Sequence, residues 1–301
     1  MTETGNELSL VGCMKEIPDP RAPYNQMHKF LDIIIIAVTA ILCGMDTWNE
    51  IEDWAYSKKE WLETFLELPG GIPSHDTINR GFQMIDPDQF HDAFFRWTSA
   101  VAGKIEGIIA IDGKTIRRSK DESKGNRPSH VVSAWACDTS LVLGQLRVDE
   151  KTNEIKAIPQ LLEILCLKGC VVTIDAMGTQ KEIAEKIIDK EADYILQVKG
   201  NQETLLEDIS LYFKDEVFDR PKKELEKEGR YWVLDIGFRE DESRMRAGNA
   251  AENVIVLRHI GTNLLKQEKS CRMGIASKRK KCGYDQKYLY KVLSGLNTGM
   301  K

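Results

Sequence analysis

Two stretches of the chain run apolar and then stop on an aspartate: Ile108-Ile109-Ala110-Ile111-Asp112 and Val171-Val172-Thr173-Ile174-Asp175. Short β-branched and small apolar runs of this kind are the pattern of buried strands, so each presents a carboxylate at its carboxyl end. Small residues follow both, Gly113 in one case and Ala176 and Gly178 in the other. As parallel neighbours the two strands bring both carboxylates to one edge of a sheet, where open α/β sheets bind ligands. Two bare carboxylates there repel each other unless a cation offsets them. Mg2+ or Mn2+ suits such a pair, being hard, oxygen-seeking and content to keep several waters. Two such ions about 3.5–4 Å apart activate a water or a 3′-hydroxyl and stabilise the leaving oxygen of a phosphodiester. A strand-terminal aspartate also commonly caps a turn, so the signal is the pair and its spacing in the fold.

Asp112-Gly113-Lys114-Thr115 contains the Gly-Lys-Thr that ends a P-loop, but that motif needs a glycine five positions before Gly113, where Ile108 stands. The nucleotide-loop reading therefore fails. Lys114, Arg117 and Arg118 are better taken as phosphate contacts beside the aspartates, with plain solvated charges as the competing explanation.

The elements that must hold these groups follow from periodicity. From about Tyr24 to Ala102 the pattern is helical: Trp48, Ile51, Trp54 and Ala55 share a helix face, and Leu62, Phe65 and Leu66 repeat it. Pro69-Gly70-Gly71 breaks the chain and Ser74 offers an N-cap to a polar-headed helix. A helix, a glycine-bearing break and a second helix suggest a helix-turn-helix, or equally an ordinary helical bundle. From Gly107 onward strands are expected at 108–111, 131–137 and 141–148, the last two joined by Asp138-Thr139-Ser140. A helix bearing Ile158, Leu161, Leu162 and Leu165 comes next, then a strand at 171–174, a helix at 181–190, a strand at 194–198 and a helix near Asn201. The order β-β-β-α-β-α-β-α, three meandering strands followed by two right-handed crossovers, is the RNase H-like arrangement. The expected fold is α/β: a mixed five-stranded sheet with flanking helices, preceded by an N-terminal helical domain. Expected boundaries are 1–104 for the helical domain, 105–265 for the RNase H-like domain and 266–301 for a basic tail.

Composition bounds the remaining classes. The 301 residues carry a net charge of -5, yet the segment from Lys266 to Lys301 holds ten Lys or Arg against Glu268 and Asp285 only. Local charge, not the total, sets a phosphate-binding footprint. Seven cysteines with no C-x-x-C pair point to a reduced, cytoplasmic protein rather than a disulfide scaffold or zinc site. Ile33 to Cys43 is apolar throughout but well short of the roughly 20 residues a bilayer span needs, so it reads as a buried helix and no membrane partner is expected. The opening MTETGNELSL lacks the pattern of a signal peptide.

Several segments together carry a resemblance. They are Ile17-Pro18-Asp19-Pro20-Arg21, Ser74-His75-Asp76-Thr77 with Arg80, Ala110-Ile111-Asp112-Gly113-Lys114 and Glu154-Ile155. Further on come Thr173-Ile174-Asp175-Ala176-Met177-Gly178-Thr179-Gln180, Lys199-Gly200-Asn201-Gln202, and Trp232-Val233-Leu234-Asp235 with Phe238-Arg239-Glu240-Asp241. Over nearly the whole chain they resemble the H-repeat-associated group of bacterial insertion-sequence DDE transposases. The resemblance implies metal-dependent DNA strand cleavage and transfer with Mg2+ (or Mn2+), and Asp112 and Asp175 as the first two of three catalytic carboxylates. Double-stranded DNA, both element ends and target, is the implied partner, with Lys114, Arg117, Arg118, Lys199, Asn201 and Arg80 as DNA-binding candidates and a homo-oligomer on DNA as the acting form. The third carboxylate of such enzymes is a glutamate five residues before the tryptophan of the Trp-Val-Leu-Asp segment, and here that position is Lys227. Glu226 and Glu228 flank it; a shift of one residue on a helix turns a side chain by about 100°. Glu228 or Glu226 is the stand-in candidate, Glu240 a remoter one, and the join around 225–230 reads like an internal deletion. The expected function is therefore a transposase impaired by loss of its third carboxylate. The competing reading is a non-catalytic DNA-binding remnant acting as a regulator, and a third is a nuclease of the same fold without transfer activity.

Overall fold

The structure, a computed structural model, describes residues 8–103, 105–115, 130–148, 154–214, 238, 243, 245, 247–295 and 298–299. Among the described residues six helices come first: α1 Leu10–Lys15, α2 Phe30–Leu42, α3 Trp48–Ser57, α4 Lys59–Leu62, α5 His75–Met84 and α6 Pro87–Ala102. Their limits follow from local chemistry. Thr47 and Glu50 form a capping box at α3, Ser74 accepts a hydrogen bond from the Thr77 N–H at α5, and Asp86 followed by Pro87 opens α6. The break between α4 and α5 contains Gly71 at φ +73°, a conformation that favours glycine. Nearly every side chain of α2 is buried, so its run of isoleucines is core on all sides, and among the described residues no helix is long and apolar enough to cross a membrane.

The sheet follows, with β1 Gly107–Thr115, β2 His130–Ala136 and β3 Leu141–Val148, then α7 Glu154–Ile164, β4 Cys170–Ile174, α8 Lys181–Asp189, β5 Asp193–Leu196 and α9 Glu203–Lys214. Its strand order is β3-β2-β1-β4-β5, antiparallel through the meander and parallel from β1 to β4 and β4 to β5. This is the RNase H-like sheet that the element order predicts. One bound differs: β1 does not stop at Ile111 but continues through Asp112 to Thr115, because its antiparallel pairing with β2 outlasts its parallel pairing with β4. Backbone groups alone make that ladder, so the polar Asp112-Gly113-Lys114-Thr115 extends a strand as well as an apolar run does.

Among the described residues three more helices follow: α10 Ala250–Gln267, α11 Ile275–Tyr284 and α12 Gln286–Leu293. They do not form a separate unit. One apolar core joins α1–α6 with α10, α11 and α12, including Ile34, Phe82, Phe94, Trp97, Val256, Ile260 and Leu289. A second core lies between one sheet face and helices α7 and α8. The basic segment expected near the carboxyl end is folded, and two of its cations are buried. Lys278 Nζ donates to the carbonyls of Leu265 and Glu268, while Arg279 donates to the Ile41 carbonyl and pairs with Asp46 at 2.6 Å. Lys269, Arg272, Lys280, Lys287 and Lys291 remain exposed.

Helix α10 ties the helical core to the sheet. Asn253 donates to the carbonyls of Phe82 and Ile85 on the helical side, and Asn263 bonds both backbone groups of Val142 on the sheet side. Fifteen of its residues are buried, polar ones included, which is affordable only because those amides find backbone partners.

Candidate active site at the sheet end

In β1 and β4, Ile109 with Ile111 and Val172 with Ile174 are buried toward α7 and α8. Their neighbours Ile108, Ala110, Val171 and Thr173 therefore look to the opposite face, since successive strand residues alternate. The parallel register pairs Ile111 with Ile174, so Asp112 and Asp175 stand side by side one step further on, about 4.8 Å apart at Cα by ordinary strand spacing. Both belong to that opposite face and both are half-buried. Over β2 and β3 the face is covered by α10, where Ile255 packs on Val131 and Glu252 pairs with Arg147 at 2.5 Å. Over β1, β4 and β5 it is open enough to leave Ile108 40% and Ile195 63% exposed. The aspartates thus sit at the rim between a covered and an accessible half of one sheet face.

Asp175 also does the bland job foreseen for a strand-terminal aspartate. Its backbone is still extended, and its Oδ1 accepts from the N–H groups of Met177 at 3.1 Å and Gly178 at 3.4 Å, capping a single 3-10 turn at Ala176–Gly178. That turn is fastened from two sides. Thr179 donates its hydroxyl to the Gln197 carbonyl at 2.6 Å, Asn201 donates to the Ala176 carbonyl at 2.7 Å, and Gln202 donates to the Thr179 carbonyl at 2.8 Å. A Cβ on Gly178 would lie 2.2 Å from Ile174 Cγ2, so this glycine is demanded by packing.

The other candidates divide. Lys114 is on β1, two residues past Asp112 and so on the same face, half-buried. Asn201 is exposed, but its amide holds the Asp175 turn, a positioning role that its spacing alone did not reveal. Lys199 is exposed just before it, and Arg80 lies exposed on α5, among the helices and not on the sheet. Arg117, Arg118, Glu226, Glu228 and Glu240 lie outside the described residues. Gln202 and Thr179, which the sequence reading quoted only as motif members, prove to be the ties on the turn.

A cation site can be judged on its donors. Two half-buried carboxylates on adjacent strand ends supply hard oxygen ligands of the sort Mg2+ or Mn2+ accepts while keeping most of its waters. Among the described residues no cluster of three or more His, Cys, Asp or Glu is placed to hold a metal. The residues present fit a cation held by two carboxylates.

Comparison with known proteins agrees with this architecture. The Transposase DDE domain model matches residues 103–234, and the model described as DDE_Tnp_1-associated matches residues 11–98. The H repeat-associated putative transposase YhhI of Escherichia coli K12 is 33% identical, the match covering 93% of this chain and 96% of the relative. The chain belongs to the DDE transposase family. A second E. coli K12 relative, the H repeat-associated putative transposase YbfD, is 40% identical over 68% of this chain and 82% of its own length. An uncharacterized protein in the dhlA 3′ region of Xanthobacter autotrophicus is 44% identical over 70% of this chain and 72% of its own. The family consists of insertion-sequence transposases, enzymes of DNA cleavage and strand transfer that generally use divalent metal ions. The alignment with YhhI runs over 362 positions, more than the 301 residues here, so that relative carries sequence with no counterpart in this transposase.

Proposed function

We propose that this chain binds insertion-sequence DNA and acts on its phosphodiesters at Asp112 and Asp175, with Mg2+ or Mn2+ held between the two carboxylates. The observation that carries the reading is the Ile111–Ile174 register, which makes the two aspartates neighbours on an accessible sheet edge. Such an ion, when bound, eases deprotonation of an attacking water or 3′-hydroxyl and offsets charge on the phosphate. The chain's own part is positional. Asn201, Gln202 and Thr179 hold the turn that orients Asp175, and the pairing of β1 with β2 holds Asp112. Lys114, with Arg117 and Arg118 beyond it, supplies cations for the flanking phosphates. Arg80, Lys199 and the exposed lysines of α11 and α12 extend the DNA footprint, with a homo-oligomer on DNA as the acting form.

A second reading is supported by two observations: Lys227 stands five residues before Trp232, where the resemblance implies the third carboxylate, and the alignment with YhhI exceeds this chain in length. On that reading Glu228 does not replace the lost glutamate, and the chain binds DNA without cutting it. The deciding experiment incubates the purified chain with Mn2+ and supercoiled plasmid carrying the element ends, beside Asp112→Ala. Nicking by the wild type that the substitution abolishes supports catalysis. DNA binding without nicking in either protein leaves the binding remnant. Independently, Mn2+ should raise the melting temperature of the wild type and not of Asp175→Ala; no shift in the wild type would refute the two-carboxylate cation site.

A further inference from the structure

The same sheet face carries a cation that the family site does not account for. Cross-strand partners share a face, so the row Lys114–Val131–Arg147 runs across β1, β2 and β3, one residue pair beyond the row Asp112–Ser133–Gln145. Arg147 therefore stands on the side of the sheet that bears Asp112 and toward the same end. Ordinary strand spacings put its Cα about 12 Å from that of Asp112 and about 10 Å from that of Lys114.

Its surroundings are asymmetric. Arg147 Nη1 meets Glu252 on the first turn of α10 at 2.5 Å, and the Glu252 side chain is 6% exposed while that of Arg147 is 43% exposed. The carboxylate is sequestered and the guanidinium reaches solvent, so the pair leaves part of the cation at the surface. A guanidinium presents five N–H donors in a rigid fork, so one edge can rest on a carboxylate while another meets a phosphate. Anchoring one edge also reduces the side-chain freedom lost when the phosphate arrives.

We propose that Arg147, held by buried Glu252, is a phosphate-binding residue for the DNA strand that enters the Asp112–Asp175 site, gripping it one or two nucleotides from the reacting group with Lys114 between. The proposal rests on the DNA-acting reading above but not on catalysis or on the cation. Lys114 and Arg147 flank Val131, which Ile255 covers, so the strand they would hold passes over the ends of β1–β3 beside the first turn of α10.

The test measures binding of a fluorescein-labelled DNA duplex to the full chain by anisotropy over a salt series. Removing one phosphate contact should weaken binding about tenfold at physiological salt and lower the slope of log affinity against log salt by about one. Arg147→Ala should show both effects while keeping the Mn2+-induced rise in melting temperature. Because Arg147→Ala takes a cation away from the buried Glu252 carboxylate, the double variant Arg147→Ala/Glu252→Gln is the second arm, and it should bind as weakly as the single one. Arg147→Lys should keep the wild-type salt slope but recover only part of the affinity, since an ammonium lacks the fork. Wild-type affinity and slope in both alanine variants would overturn the proposal and leave the pair a structural tie. So would loss of the Mn2+ response in Glu252→Gln with DNA binding intact in Arg147→Ala, because the carboxylate would then serve the cation. A wild type that binds the duplex through Arg147 but shows no Mn2+ response would refute the cation site and spare this inference.

Discussion

Asn263 offers a sharp test of how α10 is held to the sheet. β3 is an edge strand, so the outward N–H and C=O of its residues lack a strand partner on that side. At Val142 the fully buried Asn263 amide takes that place, its Oδ1 accepting from the Val142 N–H at 2.8 Å and its Nδ2 donating to the Val142 carbonyl at 3.0 Å. Val142 also follows the register shift between Ala134 and Trp135, where the ladder is already weakened. Asn263→Leu keeps the branching and the number of heavy atoms and so opens no cavity, but leaves one donor and one acceptor buried and unpaired. At about 1–3 kcal/mol each, less something for burying an apolar side chain, the loss comes to about 3 kcal/mol. For a chain of this size that is a fall of about 6 °C in melting temperature, read by circular dichroism. Asn263→Asp should do no better, since a carboxylate still accepts from the N–H but turns an acceptor toward the carbonyl. A fall below about 2 °C in Asn263→Leu would refute the view that this amide substitutes for a strand.

Two further outcomes follow from neighbouring details. Gly178→Ala places a Cβ against Ile174 and Ile158, and should cost about 1–3 kcal/mol and weaken Mn2+ stabilisation by displacing the Asp175 turn; unchanged melting with and without Mn2+ would contradict it. Burial alone would push the Glu268 carboxyl up, but hydrogen bonds from the Ser270 hydroxyl, the Tyr288 hydroxyl and the N–H groups of Ser270 and Cys271 outweigh it and bring the pKa down to about 2. Its folded value lies below the unfolded one, so its stabilisation, on the order of 3 kcal/mol, is complete above about pH 5 and is lost as pH falls toward 2. Melting curves of Glu268→Gln should accordingly be flatter between those limits than those of the wild type.

The sheet was legible because its signals are local. Apolar runs ending at Asp112 and Asp175, with helical periods between later strands, suffice for element order, and handedness rules then bring the two strands together. The end of β1 was not legible, since Gly113, Lys114 and Thr115 carry no apolar signal and pair only through backbone. Nor was the role of the basic segment: Arg279 is buried because Asp46 and the Ile41 carbonyl, more than 200 residues away, converge on it. Asn253 and Asn263 of α10 look like members of a solvated stripe in sequence, and their backbone partners on Phe82, Ile85 and Val142 explain their burial. Arg147 and Glu252 escaped for the same reason, being 105 residues apart and ordinary in type. At Asn201 the tie to the Ala176 carbonyl was not legible, because an amide near a strand end signals a ligand contact and a loop tie equally well.

The core shared by the two chain ends has a consequence on the ribosome. The isoleucines of α2 emerge roughly 200 residues before α10 does, and at about 5–20 residues per second that is about 10–40 seconds with Val256, Ile260 and Leu264 still missing from their packing. Through that interval the leading helices are greasy and incomplete, the condition in which chaperones engage nascent polypeptides. The sheet face under α7 and α8 can consolidate first, while the helical half, and the tie of Asn263 to β3, must wait for the last stretch of the message to be read.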